Sequence, residues 1–378
     1  MQPYIPSYRV PLFSTLKQLL AESGIQVAIA AAQASGSNAA RNDDFTNLLA
    51  DFLLEERQWS IGSRSVLLRS LSSTMHAFRP GLVVVEQAIK NMEALPLIFR
   101  SGEPHNPSVA MWGQGRSYST RQNWVEAKLK QNLTRRADWF FAYTPAGAEY
   151  VVAQGFPRDR TTVLWNSTDT AALKADMSTV TASELDSFRS AHGLRSGHTA
   201  LFLGGIDERK GMSFLLRSAR EIGLVDPDFR LLVGGSGQMQ GAVVRAEVSG
   251  VPVRFLGRLE NRQKALALAA ADFLMIPEWV GLVAVDSLAS GKPLVSTRHL
   301  SHSPEFEYLV EGDTVVLSEH DPSEYAKAVL RLMSTPERLT RLSHLGRQNA
   351  AELSIEQMAK NFATGVLAWQ SRIESGSI

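Results

Sequence analysis

Short apolar runs alternate with stretches of helical periodicity along most of the chain, the pattern of a parallel sheet covered by helices. In the first half, residues 25–31 (IQVAIAA), 82–85, 109–112, 139–143 and 162–164 predict strands, and residues 12–20 and 118–136 predict helices. Arg79-Pro80-Gly81 punctuates the entry to one strand. The second half restarts the alternation, with strands expected at 200–203, 229–233, 253–256, 273–276, 293–296 and 314–317. Between the halves, residues 167–195 are rich in Ser, Thr, Ala and Asp, with no sustained apolar run before a helix near 185–192. Asp321-Pro322-Ser323-Glu324 reads as a helix start, and Ser354 with Gln357 opens a last helix over 355–370. The expected fold class is α/β, with two Rossmann-like doubly wound domains facing each other across a cleft. The first is placed at 1–175, a linker region at 176–195, the second domain at 196–354 and a final helix at 355–378.

The length of 378 residues agrees with two domains. A hydrophobic content of 44% and a charged content of 20% are those of a globular protein, and a net charge of +1 argues against a polyanion binder. The chain has no cysteine, which excludes disulfides, thiolate metal sites and a cysteine nucleophile. No apolar run approaches the ~18 residues of a membrane span. The first residues lack a signal-peptide layout, so the expected location is cytoplasmic. Two locally basic stretches, Arg57, Arg64 and Arg69 around Trp59, and Lys128, Lys130, Arg135 and Arg136 near Trp124, read as solvated helix faces. The sharper alternative is an interfacial patch for anionic lipid at the inner face of the membrane.

Residues 275–295, MIPEWVGLVAVDSLASGKPLV, carry the most chemistry. An apolar strand ends at Pro277, Glu278 sits on the loop beyond it, and Gly281 permits a close turn. A short helix then carries Asp286, eight positions after Glu278, before Gly291 closes it. Two acids at the carboxyl edge of a parallel strand lie where open α/β sheets bind ligands. A half-buried helical carboxylate is suited to accept two ribose hydroxyls. Residues 201–211, LFLGGIDERKG, place a Gly-Gly turn and Lys210 between a strand and a helix. Such a turn suits a diphosphate, and a plain strand-to-helix turn with a solvent lysine is the equal alternative. Residues 233–238 form a second Gly-rich turn after a strand. The Asp-x-Asp at Asp226 and Asp228 precedes a strand and reads as a turn. His299 and His302 alone are a weak metal signal, so no metal is expected. No Gly-x-Ser-x-Gly elbow, nucleic-acid stripe or dinucleotide fingerprint with its acid is present.

The Glu278/Asp286 spacing resembles the Glu-x7-Glu signature of retaining GT-B glycosyltransferases of the family four type (glycosyl transferases group 1), with Asp for the second Glu. The resemblance implies transfer of a sugar from a nucleoside-diphosphate donor to an acceptor hydroxyl, with no cofactor beyond that donor and no metal. It implies Glu278 and Lys210 as catalytic residues, and Gly205, Arg209, Arg258, Gly281, Leu282, Val283, Asp286 and Glu305 as the donor pocket. Gly205 stands where the family has Arg, and Arg209 is the nearby candidate for that charge. On the acceptor side, residues 4–11, with Tyr8 and Arg9, are similar to the loop after the first strand in a subset of the family. The expectation there is that the chain starts inside or just after that strand. Trp112-Gly113-Gln114-Gly115 resembles a Trp-Gly-His-Gly segment, so Gln114 offers hydrogen bonding and no base. Asn166 to Asp169 is similar to the Asn-x-x-Asp turn that ends the first domain, and the last helix is expected to cross back to it. The implied setting is polysaccharide or glycolipid assembly, with a saccharide or lipid-linked acceptor and no nucleic acid. The alternatives are a sugar-nucleotide epimerase on the same fold or a non-catalytic sugar-nucleotide binder.

Overall fold

The computed structural model describes residues 1–35, 39, 43–61, 64–88, 91, 93–101, 105–118, 124–299 and 301–376. The chain divides into two compact units, Met1–Asn166 with Ile355–Ile378, and Ser167–Ser354. Each is α/β and Rossmann-like.

In the first unit a two-stranded parallel pair, β1 (Ala30–Ala31) and β2 (Phe52–Leu53), is followed by an antiparallel hairpin, β3 (Glu56–Ile61) and β4 (Arg64–Arg69). A four-stranded parallel sheet follows: β5 (Leu82–Glu86), β6 (Ser108–Gly113), β7 (Trp139–Ala142) and β8 (Thr161–Val163), neighbours in chain order. Only the end of the apolar run at 25–31 is a regular strand. The helix Val10–Glu22 packs against the final helix Ile355–Glu374, and both cover the sheet through Leu12, Leu16, Phe362 and Trp112. The helix expected over 118–136 is described as Trp124–Arg135, and 119–123 lie outside the described residues.

The second unit is one six-stranded parallel sheet: β9 (Thr199–Leu203), β10 (Arg230–Gly234), β11 (Val253–Gly257), β12 (Phe273–Met275), β13 (Leu294–Thr297) and β14 (Val315–Ser318). Its spatial order is β11-β10-β9-β12-β13-β14. Counted within the unit this is 3-2-1-4-5-6, the doubly wound order whose topological switch lies between β9 and β12. The two strands are in register there, with Phe273 opposite Ala200 and Leu274 opposite Leu201. Strands covered on both faces must be apolar throughout, which is why these runs show no alternation. All five residues of β9 are buried.

Two expectations are corrected. The region 176–195 is not a linker. It lies in helices Thr170–Ser178 and Ala182–His192, which pack on helix Asn261–Ala270. Leu173 enters the second unit's core. Arg262 ties both helices down, donating to the carbonyls of Asp176 and Thr179 and pairing with Glu184 at 2.7 Å. The second helix starts with a reciprocal capping box, Thr181 with Glu184, and ends at Gly193 with φ 63°. The basic stretch around Trp59 is the β3–β4 hairpin and not a helix face. Arg69 is buried there, paired with Glu93 at 2.6 Å and with Glu56 at 3.0 Å.

Candidate functional site

The loops that leave the carboxyl ends of β9, β12, β13 and β14 converge in the second unit. After β9 the chain turns through Gly204 (φ 142°) and Gly205 into a short 3-10 turn, Glu208–Lys210, whose N-cap Asp207 accepts the Lys210 amide at 3.0 Å. Gly211 (φ 71°) then opens helix Met212–Val225. The glycines of the neighbouring turn are dictated by packing. A Cβ on Gly235 would overlap the Gly204 carbonyl oxygen, and one on Gly237 the Ile206 carbonyl oxygen. The two turns are also tied by the bond from the Ile206 amide to the Ser236 carbonyl, 2.9 Å. A side chain at 205 would meet the Asp207 carboxylate, since its Cβ would lie 2.9 Å from Oδ2. The space an arginine would use is therefore taken by the cap of the Lys210 turn.

Lys210 reaches from the β9 loop to the β12 loop and donates to the Trp279 carbonyl at 2.6 Å. Trp279 is in the left-handed region, φ 46°, a conformation that costs a bulky residue of order 1–3 kcal/mol. Its ring lies under the Arg209 guanidinium, 4.6 Å from centroid to Cζ. Arg209 is thus held beside the same loop as Glu278. A Cβ on Gly281 would stand 3.8 Å from Lys210 Nζ and 3.7 Å from Ser303 Oγ. The glycine leaves that surface open. Leu282 caps helix Val283–Ser290, which is buried along its whole length.

Glu278 is half-buried and lies 2.8 Å from His320 Nε2. Asp286 is buried, with Lys264 Nζ at 2.7 Å and the Thr168 hydroxyl at 3.3 Å on the same oxygen, Oδ1. The ammonium offsets the cost of holding that carboxylate out of water. His302 is also buried. Its Nδ1 accepts the Val280 amide at 3.3 Å, its Nε2 donates to the Thr297 carbonyl at 2.9 Å, and its ring stacks on Phe306. Burial first, then the positive neighbours, push its pKa down to about 4, so it is neutral and orders the loop. Buried Glu305 accepts the Ser303 hydroxyl. Arg258, after β11, pairs with Glu260 at 2.6 Å. Asp226 and Asp228 lie at the opposite edge, in the turn before β10, paired with His198 and Arg195.

In the first unit, Tyr8 is half-exposed while Arg9 is enclosed by aromatic rings, 4.8 Å from the Trp112 centroid and 5.7 Å from that of Tyr143. Its Nη1 also meets the Met358 sulfur at 3.6 Å. Gln114 follows β6, where its carbonyl carbon and oxygen pack against Gly147. Sequence reasoning missed Trp279, whose carbonyl receives Lys210, and His320, and read His299 only as a weak metal signal beside His302; both His299 and His320 stand with Glu278. The signal for the two histidines was available: each follows a predicted strand, at the edge where ligands bind.

Residues 197–335, the bulk of the second unit, match the family of glycosyl transferases group 1. A phosphatidyl-myo-inositol mannosyltransferase of Mycobacterium tuberculosis is 37% identical over 144 residues, 34% of this chain and 38% of that protein. A GDP-mannose-dependent monoacylated alpha-(1-6)-phosphatidylinositol monomannoside mannosyltransferase of Corynebacterium glutamicum is 28% identical over 176 residues, 43% of this chain and 45% of that protein. The chain thus matches less than half the length of these curated relatives. Over nearly the whole chain, the Anabaena protein Alr3699/HepE, solved with UDP and glucose, superposes with a TM-score of 0.68 at 14% identity, covering 97% of this chain and 98% of that one. The fold is GT-B, two Rossmann-like domains in one chain. Within its second unit, residues 197–335 are similar to the glycosyl transferases group 1 family.

Proposed function

We propose that the protein is a retaining glycosyltransferase that moves a sugar from a nucleoside-diphosphate sugar to an acceptor hydroxyl in glycolipid or polysaccharide assembly. The observation that carries this reading is the meeting of the Lys210 and Glu278 loops at the β9/β12 switch, with buried Asp286 one helix turn further on. In this reading the helix Met212–Val225 and Lys210 hold the diphosphate and stabilise charge as it leaves, a preorganised electrostatic contribution. Asp286 accepts the ribose hydroxyls. Glu278 orients the transferred sugar and stabilises positive charge at its ring. The departing phosphate oxygen takes the acceptor's proton, so no protein base is required. The mannosyltransferase relatives put GDP-mannose first among donors to try, and phosphatidylinositol-type lipids first among acceptors.

One observation favours a lipid-borne acceptor. Helix Trp124–Arg135 exposes Trp124, Val125 and Leu129 together with Lys128 and Arg135. Apolar and basic residues on one exposed helix suit the surface of an anionic membrane. Lys130 does not belong to that face: it is half-buried and donates to the Arg116 carbonyl at 3.3 Å. Among the described residues no helix is long and apolar enough to cross a membrane.

The test is product formation from GDP-mannose and UDP-glucose with phosphatidylinositol in vesicles, for the wild type and Glu278→Ala. Wild-type transfer that Glu278→Ala abolishes supports the reading. Near-normal turnover in the variant overturns the assignment of Glu278. Donor binding without turnover identifies a non-catalytic binder, and conversion of the donor sugar without an acceptor identifies an epimerase.

A further inference from the structure

Three adjacent parallel strands each deliver one metal-binding side chain to the same edge. Glu278 follows β12, His299 follows β13 and His320 follows β14. One ligand atom from each residue lies within 4.8 Å of the other two. The Glu278 carboxylate is 2.8 Å from His320 Nε2, and the His299 and His320 rings are 4.6 Å apart. The ring of His320 is steadied by stacking on Phe214, at 4.8 Å. We propose that Glu278, His299 and His320 form a site for a divalent transition ion of the zinc type, and that its occupancy withdraws Glu278 from sugar transfer.

Two imidazoles and one carboxylate are a common three-ligand set for zinc, with a fourth position left for water. Tetrahedral bonds of about 2.0–2.2 Å set ligand atoms about 3.3–3.6 Å apart, so the Glu278–His320 contact of 2.8 Å opens slightly to admit the ion while the more distant ligand atoms draw in. Small loop movements suffice for this, since each ligand sits beyond the end of its strand. His299 Nδ1 now accepts the Ser301 amide at 3.2 Å, and coordination through that nitrogen exchanges this bond for the metal. At His320 the ion replaces the proton shared with Glu278. His302, although close in sequence, has both ring nitrogens committed to backbone groups and takes no part. Softer thiolate sites are absent from the chain, and a nitrogen-oxygen set selects zinc, cobalt or nickel over magnesium. A carboxylate held by a dication cannot at the same time face the developing positive charge on a sugar ring. Only this consequence rests on the proposed role of Glu278; metal binding stands on the three side chains alone.

The experiment is titration of the chelator-treated full chain with zinc chloride by calorimetry, followed by cobalt(II) absorption spectra, for the wild type, His299→Ala, His320→Ala, His320→Gln and the exposed control His344→Ala. The expected result is one ion per chain for the wild type and for His344→Ala. Affinity should fall by more than about 100-fold in each of the other variants, beyond the range that the loss of an outer-shell partner costs. Cobalt should give the visible bands of a low-coordinate nitrogen-oxygen site. Circular dichroism confirms that the variants fold, and His320→Gln keeps the side-chain volume. No uptake by the wild type, or undiminished uptake by folded His299→Ala and His320→Ala, overturns the proposal. With transfer as a second readout, zinc should lower wild-type turnover, EDTA should restore it, and His299→Ala should lose the sensitivity. A one-site isotherm in a protein without transferase activity leaves the metal site standing and refutes the donor reading. Zinc-insensitive turnover with zinc bound refutes the regulatory consequence.

Discussion

The two units are built on the same principle and differ in how their sheets close. In the second unit six parallel strands run without a gap, and β9 at the centre is wholly buried. In the first, β5 ends the four-stranded sheet, and the β1–β2 pair forms a sheet of its own. An apolar cavity of about 250 Å³ opens between them, lined by Phe13, Leu20, Ile29, Phe78, Val83 and Trp369. The unit with the continuous sheet carries the converging charged loops. A strained loop residue such as Trp279, and a buried helical acid such as Asp286, are held best on a rigid sheet. The gapped unit has side-chain ties in its interior: Arg69 between two acids, and Arg9 among aromatic rings.

That contrast can be broken from either side. The largest effect is expected in the first unit. Arg69→Ala leaves the buried Glu93 carboxylate without its ion-pair partner, and should cost about 3–5 kcal/mol of stability in a urea titration. A loss below 1 kcal/mol would mean that the hairpin contributes little to holding this unit together. Glu278→Ala should do the reverse. Transfer should drop by about 10²–10³-fold, as when one preorganised group facing a transition state is removed, while the melting curve stays put. Next comes Asp321→Ala. Its carboxylate caps the helix Pro322–Met333 by accepting the Ser323 and Glu324 amides, and its loss should cost about 1 kcal/mol in the second unit. The gentlest probe is hydrogen exchange. Amides of β5, at the sheet edge beside the cavity, should exchange before those of β9. Equal protection would erase the difference between the units.

The sequence made the second unit legible because a fully covered parallel strand has to be apolar at every position. Residues 200–203, 229–233 and 253–256 each fall within one or two residues of an observed strand. The helix at 170–178 was hidden by its Ser, Thr and Ala content, and the one at 182–192 was expected only from residue 185, although Thr181-x-x-Glu184 spells a capping box and Gly193 a C-cap. The hairpin was obscured because arginines occupy strand positions, and a buried arginine looks solvated until its acids are located in space. Glu278, Asp286 and Lys210 stood out because turn glycines and strand ends frame them. His299 and His320 did not, since only the order β12-β13-β14 brings their loops together. Arg9 was expected on the acceptor side, in a loop after the first strand. Its enclosure by Trp112 and Tyr143 depends on strands far away in sequence.

The central claim is that the Lys210 turn and the Glu278–Asp286 segment hold a nucleoside-diphosphate sugar. The most direct measurement is calorimetric titration of the wild type and Lys210→Ala with GDP-mannose, UDP-glucose, ADP-glucose, dTDP-glucose and NAD. The account predicts that one sugar nucleotide binds the wild type at a single site. Its Kd should rise about tenfold or more in Lys210→Ala, the loss of one charge-assisted contact to phosphate. Equal affinity in the variant, or binding of NAD alone, would contradict it.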